Sequence, residues 1–157
     1  MPNSFLFVCL GNICRSPLAE GIAKKYAEER GLELTIDSCG TGDWHLGEAP
    51  CDDSIKVARE HQLDISQQRA RQIKPKDISE FDQIIVLDDN NLRDLKSMGA
   101  TNVSKLGFYG YDNADVPDPY FFNGYEGFDK VYEMIDTCVS NLLTLKCISK
   151  NSSHRQL

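Results

Sequence analysis

The stretch that decides the fold is FVCLGNICRSPLAE, residues 7–20. It starts inside a short, continuously apolar run, Phe5–Leu10, which a glycine and an asparagine follow at once. A short run without polar alternation is typical of a strand buried on both faces, as in a parallel sheet. Ser16-Pro17 then predicts a helix start, with serine as the N-cap and proline at the first helical position. The stretch therefore predicts a buried strand, a tight loop and a helix.

Strands and helices alternate along the rest of the chain. Apolar runs predict further strands at 34–39, 83–87 and 103–106. Helical spacing and end signals predict helices up to about residue 30, at about 52–62, at 90–98 and from about 127. This alternation predicts one α/β domain over residues 1–157, with a four-stranded parallel sheet, helices on both faces and a polar tail from about 149.

Length and charge exclude several classes of protein. The chain has 157 residues, 41% of them hydrophobic and 26% charged, as in an ordinary globular domain. The net charge is −7, and no Lys/Arg cluster forms a face for nucleic acid or membrane lipid, so we expect neither partner. No apolar run approaches the ~20 residues of a membrane-spanning helix. The first apolar run lacks the basic flank of a secretory signal, so we expect a cytoplasmic protein.

The six cysteines do not form a metal-binding or disulfide pattern. There is no Cys-x-x-Cys, and the three histidines are not at zinc-ligand spacing. We therefore expect no metal and no other cofactor. Four of the cysteines are interpreted as buried or incidental thiols: Cys39, Cys51, Cys138 and Cys147.

The loop at residues 10–14 is the candidate site, because ligands of open parallel sheets bind beyond the carboxyl ends of the strands. A tight loop before a helix N-terminus points backbone N–H groups at a tetrahedral oxyanion such as phosphate. Gly11 permits close approach, and Arg15 offers a fork that matches two phosphate oxygens. These groups all favour a thiolate at Cys9, a nucleophile for phosphorus. Ser16 can donate to that sulfur. The spacing Cys-x5-Arg alone also fits a buried cysteine and a surface arginine.

A phosphate ester also needs a general acid to protonate the leaving group. Asp118 lies between two prolines that stiffen the backbone and can aim its carboxyl group. Ordinary turn chemistry explains an Asp-Pro pair equally well. Asp112 and Asp115 lie in the same loop and are alternative acids.

Together these motifs resemble the low-molecular-weight protein tyrosine phosphatases. Residues 7–20 match that family closely, and Asp118-Pro119-Tyr120 follows late in the chain, in the family's order. Further matches are Asp37-Ser38, Asp43-Trp44, Ala70-Arg71-Gln72 and Asn91-Leu92-Arg93-Asp94-Leu95. The resemblance covers residues 5 to about 145.

The resemblance implies a protein tyrosine phosphatase that acts on phosphotyrosine proteins or peptides and releases phosphate. Cys9 would form the phosphocysteine, Arg15 would stabilise the transition state, and Asp118 would serve as acid and then base. The implied substrate-binding residues are Leu10, Gly11, Asn12, Ile13, Cys14 and Ser16, with Trp44 and Tyr120 as aromatic walls. The implied supports of the phosphate loop are Asn12, Ser38 and His61. For His61, a half-exposed residue at a helix end is the alternative.

Cys14 matches a second family cysteine, which implies a reversible Cys9–Cys14 disulfide that protects the nucleophile. The alternative is a small residue that fills a tight loop. At position 121 the chain has phenylalanine where many animal members have a second tyrosine, so phosphorylation is open only at Tyr120.

Two other functions compete with the phosphatase. One is a thiol-dependent arsenate reductase, but residues 80–100 contain no cysteine to resolve an arseno-thiol. The other is a non-catalytic phosphate-binding module. The joint presence of Cys9, Arg15 and Asp118 argues against a module without activity.

Overall fold

The structure, a computed structural model, describes residues 2–119 and 126–155. Its strands are Ser4–Cys9 (β1), Thr35–Gly40 (β2), Gln83–Val86 (β3) and Val103–Lys105 (β4). Its α-helices are Arg15–Glu29 (α1), Asp52–Glu60 (α2), Pro75–Glu80 (α3), Asp89–Ser97 (α4) and Glu126–Arg155 (α5). A short 3-10 helix, Leu106–Tyr109, follows β4 directly.

The strands form one four-stranded sheet in the order β2-β1-β3-β4, and every neighbouring pair is parallel. The predicted parallel sheet is therefore confirmed. β1 is central, and its last residue, Cys9, pairs with Gly40 at the end of β2. Because all four strands point the same way, the loops that follow them meet at one edge of the sheet.

Side chains of β1 alternate between two separate hydrophobic clusters. Phe5, Phe7 and Cys9 face the larger cluster, which includes residues of α1, α2 and α5. Leu6 and Val8 face a smaller cluster that is covered from α3 and α4. β1 is buried throughout because helices cover both of its faces, as the unbroken apolar run predicted.

One local prediction about a helix was wrong, and one helix was not predicted. Helix α1 begins at Arg15 with Cys14 in the N-cap position, so Ser16 lies inside the first turn and does not cap it. Helix α3 was not predicted, because six residues are too few to show a helical period. Its start is stabilised by Asp77, whose carboxylate accepts a hydrogen bond from the backbone N–H of Lys74.

The C-terminal helix α5 continues to Arg155 and so extends past residue 149, where we expected a polar tail to begin. Its buried positions pack on α1, which contributes the other large part of the main cluster. Within residues 2–119 and 126–155, the helices include none with both the length and the apolar character needed to cross a membrane.

Candidate active site

The loop at residues 10–14, here called the phosphate loop, connects the end of β1 to the start of α1. It is held against the end of β2: the backbone N–H groups of Thr41 and Gly42 donate to the carbonyls of Cys9 and Leu10, each at 2.9 Å. A Cβ atom at Gly40 would lie 2.7 Å from the carbonyl oxygen of Leu10. Only glycine permits this approach, so residue 40 fixes the distance between the loop and β2.

The sulfur of Cys9 faces two hydrogen-bond donors. It lies 2.9 Å from the hydroxyl oxygen of Ser16, and it accepts the backbone N–H of Asn12 at 3.3 Å. Cys9 itself is 3% exposed, so water contributes little to solvating its sulfur. The first turn of α1 therefore places the Ser16 hydroxyl next to the Cys9 sulfur. Ser16 has this role and does not cap the helix.

The direction of the Ser16–Cys9 hydrogen bond follows from the donors around Asn12. The side-chain oxygen of Asn12 accepts the backbone N–H of Arg71 at 3.0 Å, so its amide nitrogen must be the donor elsewhere. That nitrogen donates to the hydroxyl oxygens of Ser16 at 2.8 Å and Ser38 at 3.0 Å. Since Ser16 accepts from Asn12, its single hydroxyl hydrogen is directed at Cys9. The network therefore directs two donors, the Ser16 hydroxyl and the Asn12 backbone N–H, at the Cys9 sulfur.

Asn12 has a left-handed backbone conformation, with φ of 57°. Asparagine tolerates this conformation better than most residues, and it also closes the loop with its side chain. The same network continues away from the site, because the Ser38 hydroxyl donates to Glu20 at 2.6 Å and Lys24 donates to the other oxygen of Glu20 at 2.6 Å. The buried loop is thus connected through the buried Glu20 to Lys24 at the surface of α1.

Arg15 is fixed by two acceptors from other parts of the fold. Its Nη1 lies 2.9 Å from Oδ2 of Asp88 and 2.9 Å from the carbonyl oxygen of Val116. Both contacts use Nη1, so neither engages Nη2 or Nε. Asp88 is in turn held in place, because its other carboxylate oxygen caps α4 by accepting the N–H of Asn91. This arrangement presents the rest of the guanidinium group to a ligand.

A cavity of about 210 Å³ opens over the phosphate loop. It is lined by Cys9, Leu10, Gly11, Ile13, Cys14, Arg15, Trp44, His45 and Asp118. Trp44 is 68% exposed, which is unusual for a large aromatic side chain and leaves its ring available at the cavity wall. The structure thus brings the predicted nucleophile, arginine, acid and one aromatic wall to a single cavity. Asn12, Ser16 and Ser38 support that cavity from behind.

Of the three candidate acids, Asp118 is the one that lines the cavity. Asp115 is engaged elsewhere: its carboxylate lies 2.7 Å from the ammonium group of Lys105 and accepts the backbone N–H of Asp89. Asp112 lies in an exposed turn with φ of 52°. The geometry therefore favours Asp118 as the proton donor.

The structure places the ring of His61 against helix α5. It follows the last residue of α2, and its ring stacks on Tyr132 of α5 at a centroid distance of 4.0 Å. The loop support expected from this residue is not seen among the described contacts; from the segment after α2, Arg71 reaches Asn12 instead. Tyr120, the second predicted aromatic wall, and Phe121 lie outside the described residues.

Several residues around the site were not predicted from sequence: Asp88, Glu20 and His45. Asp88 follows directly after the buried segment that includes β3, and the rule that polar residues at this edge form ligand sites would have found it. His45 lines the cavity, and its ring carbon would lie 3.0 Å from a Cβ atom at Gly11. Glu20 gave no signal, because a helix glutamate is usually a surface residue.

Cys14, interpreted as the partner of Cys9 or as a small filler, lies next to a different cysteine. Its sulfur is 3.0 Å from that of Cys51, the residue before α2. A hydrogen bond to Cys51 and then burial raise the pKa of the Cys14 thiol far above its ordinary value. The Cys51 thiol donates to the Ser54 hydroxyl at 3.2 Å, so Cys14 is the donor of this pair.

A cysteine at a strand end, a tight loop before a helix and an arginine at the helix start are the groups that a cysteine-dependent phosphatase requires. The family model for low molecular weight phosphotyrosine protein phosphatase matches residues 4–154. The chain belongs to this family, as the motifs of residues 7–20 predicted.

Individual relatives agree with the family assignment. The chain is 39% identical over 148 residues to the low molecular weight protein-tyrosine-phosphatase YfkJ of Bacillus subtilis, covering 89% of this chain and 93% of that protein. The crystal structure of YfkJ superposes with a TM-score of 0.84, covering 96% of this chain and 97% of that one. The Drosophila arginine phosphatase DARP is 32% identical, with a TM-score of 0.84 and coverage of 93% and 98%.

Proposed function

We propose that this protein hydrolyses phosphotyrosine in proteins or peptides through a phosphocysteine intermediate on Cys9. One observation carries the proposal: the Cys9 sulfur accepts hydrogen bonds from Ser16 and Asn12 at the base of a cavity that Arg15 and Asp118 also line. This arrangement combines a nucleophile, a cation for the phosphoryl oxygens and a proton donor in one space. Membership of the phosphatase family supports it independently.

In the first step, the Cys9 sulfur attacks phosphorus while the bond from phosphorus to the tyrosyl oxygen breaks. Asp118 gives its proton to that oxygen, so tyrosine leaves as a neutral phenol. Arg15 and the backbone N–H groups of the phosphate loop bind the phosphoryl oxygens, whose charge rearranges in the transition state. Asp88 and the Val116 carbonyl act as positioning groups for the guanidinium.

In the second step, water attacks the phosphocysteine and the sulfur–phosphorus bond breaks. Asp118, now a carboxylate, takes the proton from the attacking water, and phosphate leaves. The Cys9 sulfur departs as an anion, which the hydroxyl hydrogen of Ser16 stabilises. The same hydrogen bond therefore assists both the attack and the departure of the sulfur.

The walls of the cavity favour an aromatic substrate. Leu10 and Trp44 are apolar side chains that are 49% and 68% exposed, so a phenyl ring gains contact area by lying against them. Ile13 extends the same apolar wall. Among relatives of this fold, DARP is described as an arginine phosphatase, so phosphoarginine is the substrate against which this preference is best measured. We expect faster hydrolysis of the phosphotyrosine ester.

The central test is the hydrolysis of aryl phosphates by the purified protein. Cys9→Ser should abolish turnover and leave phosphate binding largely intact. Asp118→Ala should slow esters with poor leaving groups far more than esters with good ones, because the acid matters most where the leaving group is basic. Asp112→Ala is the matched control and should behave as wild type. Equal slowing of all esters by Asp118→Ala would reassign the acid.

Substrate and location follow as further parts of the proposal. We propose a single phosphatase domain over residues 1–157 that acts in the cytoplasm, where a reducing environment keeps its catalytic thiol active. Cys9→Ser protein used as a substrate trap should retain phosphotyrosine proteins, and free phosphotyrosine should elute them. If free phosphotyrosine failed to displace the retained proteins, the proposed substrate class would be contradicted.

A further inference from the structure

Cys14 and Cys51 come from different parts of the chain, and hydrogen bonds hold the segments around them together. The backbone N–H of Cys51 donates to the carbonyl of Ile13 at 2.8 Å. The hydroxyl of Ser54, in the first turn of α2, donates to the carbonyl of Cys14 at 3.1 Å. The phosphate loop and the start of α2 are therefore fixed against each other on both sides of the two thiols.

The two sulfurs are in contact but are not bonded. They lie 3.0 Å apart, and a disulfide needs about 2.05 Å, so about 1 Å of approach is required. Rotation about the side-chain torsions supplies an approach of this size. Because the backbone hydrogen bonds already hold the two segments together, no helix or strand has to move.

We propose that Cys14 and Cys51 are a redox pair, which hydrogen peroxide converts into a disulfide that leaves Cys9 as a thiol. Each cysteine has only one sulfur to share, so pairing with Cys51 removes Cys14 from the Cys9–Cys14 disulfide that the family resemblance implies. The pair itself is independent of the proposed phosphatase chemistry. Its effect on turnover rests on that chemistry.

The reaction balances with peroxide as the oxidant. The Cys51 sulfur attacks one peroxide oxygen, the O–O bond breaks, and the products are a sulfenic acid and water. The Cys14 sulfur then attacks the Cys51 sulfur, the S–S bond forms, and the S–O bond breaks. The hydroxide that leaves takes the proton of Cys14 and becomes a second water. Two thiols are oxidised, and one peroxide is reduced to two waters.

The order of these two steps follows from the hydrogen bond between the thiols. The Cys51 thiol donates to the Ser54 hydroxyl at 3.2 Å, so the hydrogen between the two sulfurs belongs to Cys14. Cys51 is the acceptor, and it lies half-buried directly before α2. We expect peroxide to oxidise the accepting sulfur first, and Cys14 to resolve the sulfenic acid.

Formation of the disulfide should slow the enzyme without destroying its nucleophile. Cys14 belongs to the phosphate loop and lines the cavity beside Cys9 and Arg15. Drawing its sulfur about 1 Å towards α2 disturbs the loop at the residue before Arg15. Displacing a group of an active site by about 1 Å can lower the rate by up to about a hundredfold. We therefore expect kcat/KM to fall at least tenfold.

The test is peptide mapping of the purified full-length protein after limited treatment with hydrogen peroxide and alkylation of the remaining thiols. We expect a non-reduced peptide pair joined through Cys14 and Cys51, with Cys9 in its alkylated form. A thiol reductant should remove the linked pair and restore activity. A Cys9–Cys14 link as the main product, or alkylated Cys14 and Cys51 after Cys9 has been oxidised, would overturn the proposal.

Two matched variants separate the pair from general oxidation. In Cys138→Ser, which changes a buried cysteine of α5, the Cys14–Cys51 link should form as in wild type. In Cys51→Ser the link is absent, and any activity lost to peroxide should track the loss of alkylatable Cys9. If peroxide caused a reversible loss of activity in Cys51→Ser while Cys9 could still be alkylated, the proposed role of Cys51 would be contradicted. If the reduced protein did not hydrolyse aryl phosphates, the proposed function would be wrong. Peptide mapping would still show whether Cys14 and Cys51 form a disulfide.

Discussion

Nη1 of Arg15 lies 2.9 Å from Oδ2 of Asp88, a residue 73 positions later in the chain that also caps helix α4. One carboxylate thus performs two tasks, since its Oδ1 accepts the backbone N–H of Asn91 at 2.8 Å while its Oδ2 fixes the guanidinium. The start of α4 is therefore connected through Asp88 to the guanidinium that, in the proposed mechanism, binds the phosphoryl oxygens. Substitutions at this position separate the two tasks.

Asp88→Asn should reduce activity with little effect on stability. Asparagine caps helices about as well as aspartate, but it carries no charge with which to hold Arg15. We expect kcat/KM for an aryl phosphate to fall roughly tenfold, equivalent to about 1.4 kcal/mol. Asp88→Ala should show the same kinetic loss and also lose about 1 kcal/mol of unfolding free energy with the cap. Wild-type kcat/KM in Asp88→Asn would show that Val116 alone positions the arginine.

Ser16→Ala should slow the reaction of Cys9 with alkylating reagents. The variant removes the hydroxyl that donates to the sulfur at 2.9 Å, and hydrogen bonds to charged groups contribute about 1.5–3 kcal/mol. We expect the rate of iodoacetamide alkylation of Cys9 at neutral pH, and kcat for aryl phosphates, to fall at least tenfold. Ser104→Ala, which removes a hydroxyl that contacts Tyr109, is the control. Equal alkylation rates in the two variants would contradict the assigned hydrogen-bond direction.

Substitutions of Asn12 should separate backbone strain from the hydrogen-bond network. Asn12→Gly and Asn12→Ala both lose the bonds to Ser16, Ser38 and Arg71, but only alanine is strained at φ of 57°. We expect both variants to lose most activity, and alanine to be less stable than glycine by about 1 kcal/mol in urea unfolding. Equal stabilities would mean that the loop relaxes to another conformation when the side chain is removed.

Lowering the pH should reduce the free energy of unfolding through the protonation of Asp77. Burial alone would raise the pKa of this carboxyl, but its hydrogen bonds from Arg71 and from the backbone N–H of Lys74 outweigh burial and lower the pKa. A lowered folded-state pKa stabilises the fold above the unfolded pKa of about 3.9, and this contribution is lost as the pH falls through the folded value.

Asp77→Asn should therefore destabilise the protein by about 1–3 kcal/mol at pH 7, and this difference should shrink as the pH drops below about 4. Urea unfolding at pH 7 and at pH 3.5 measures it. Asp94→Asn, an exposed position on α4, is the control and should change stability little at either pH. A difference for Asp77→Asn that stays constant with pH would show that packing, and not the charge, is responsible.

The elements that the sequence predicts well are those with a strong local signal. The unbroken apolar run before Gly11 predicted a buried strand, and Ser16-Pro17 predicted that a helix follows the loop. Helix α3 was not predicted because its six residues are too few to show a helical period. Its stability depends on a contact between Asp77 and Arg71, which lies before the helix. The N-cap of α1 was misassigned because Ser16 carries a capping signal, although its hydroxyl is used by Cys9.

The sequence by itself determined the α/β class, the nucleophile loop and the family. Which groups surround that loop was decided only by the tertiary structure: Asp88 for Arg15, Ser38 and Arg71 for Asn12, and Cys51 for Cys14. These partners are separated from the loop by between 26 and 73 residues. Apolar patterns report what is buried and where the chain turns. They carry no information about which polar side chains come into contact. Those contacts depend on the order of the parallel strands, because the loops that follow the strands all lie at one edge of the sheet.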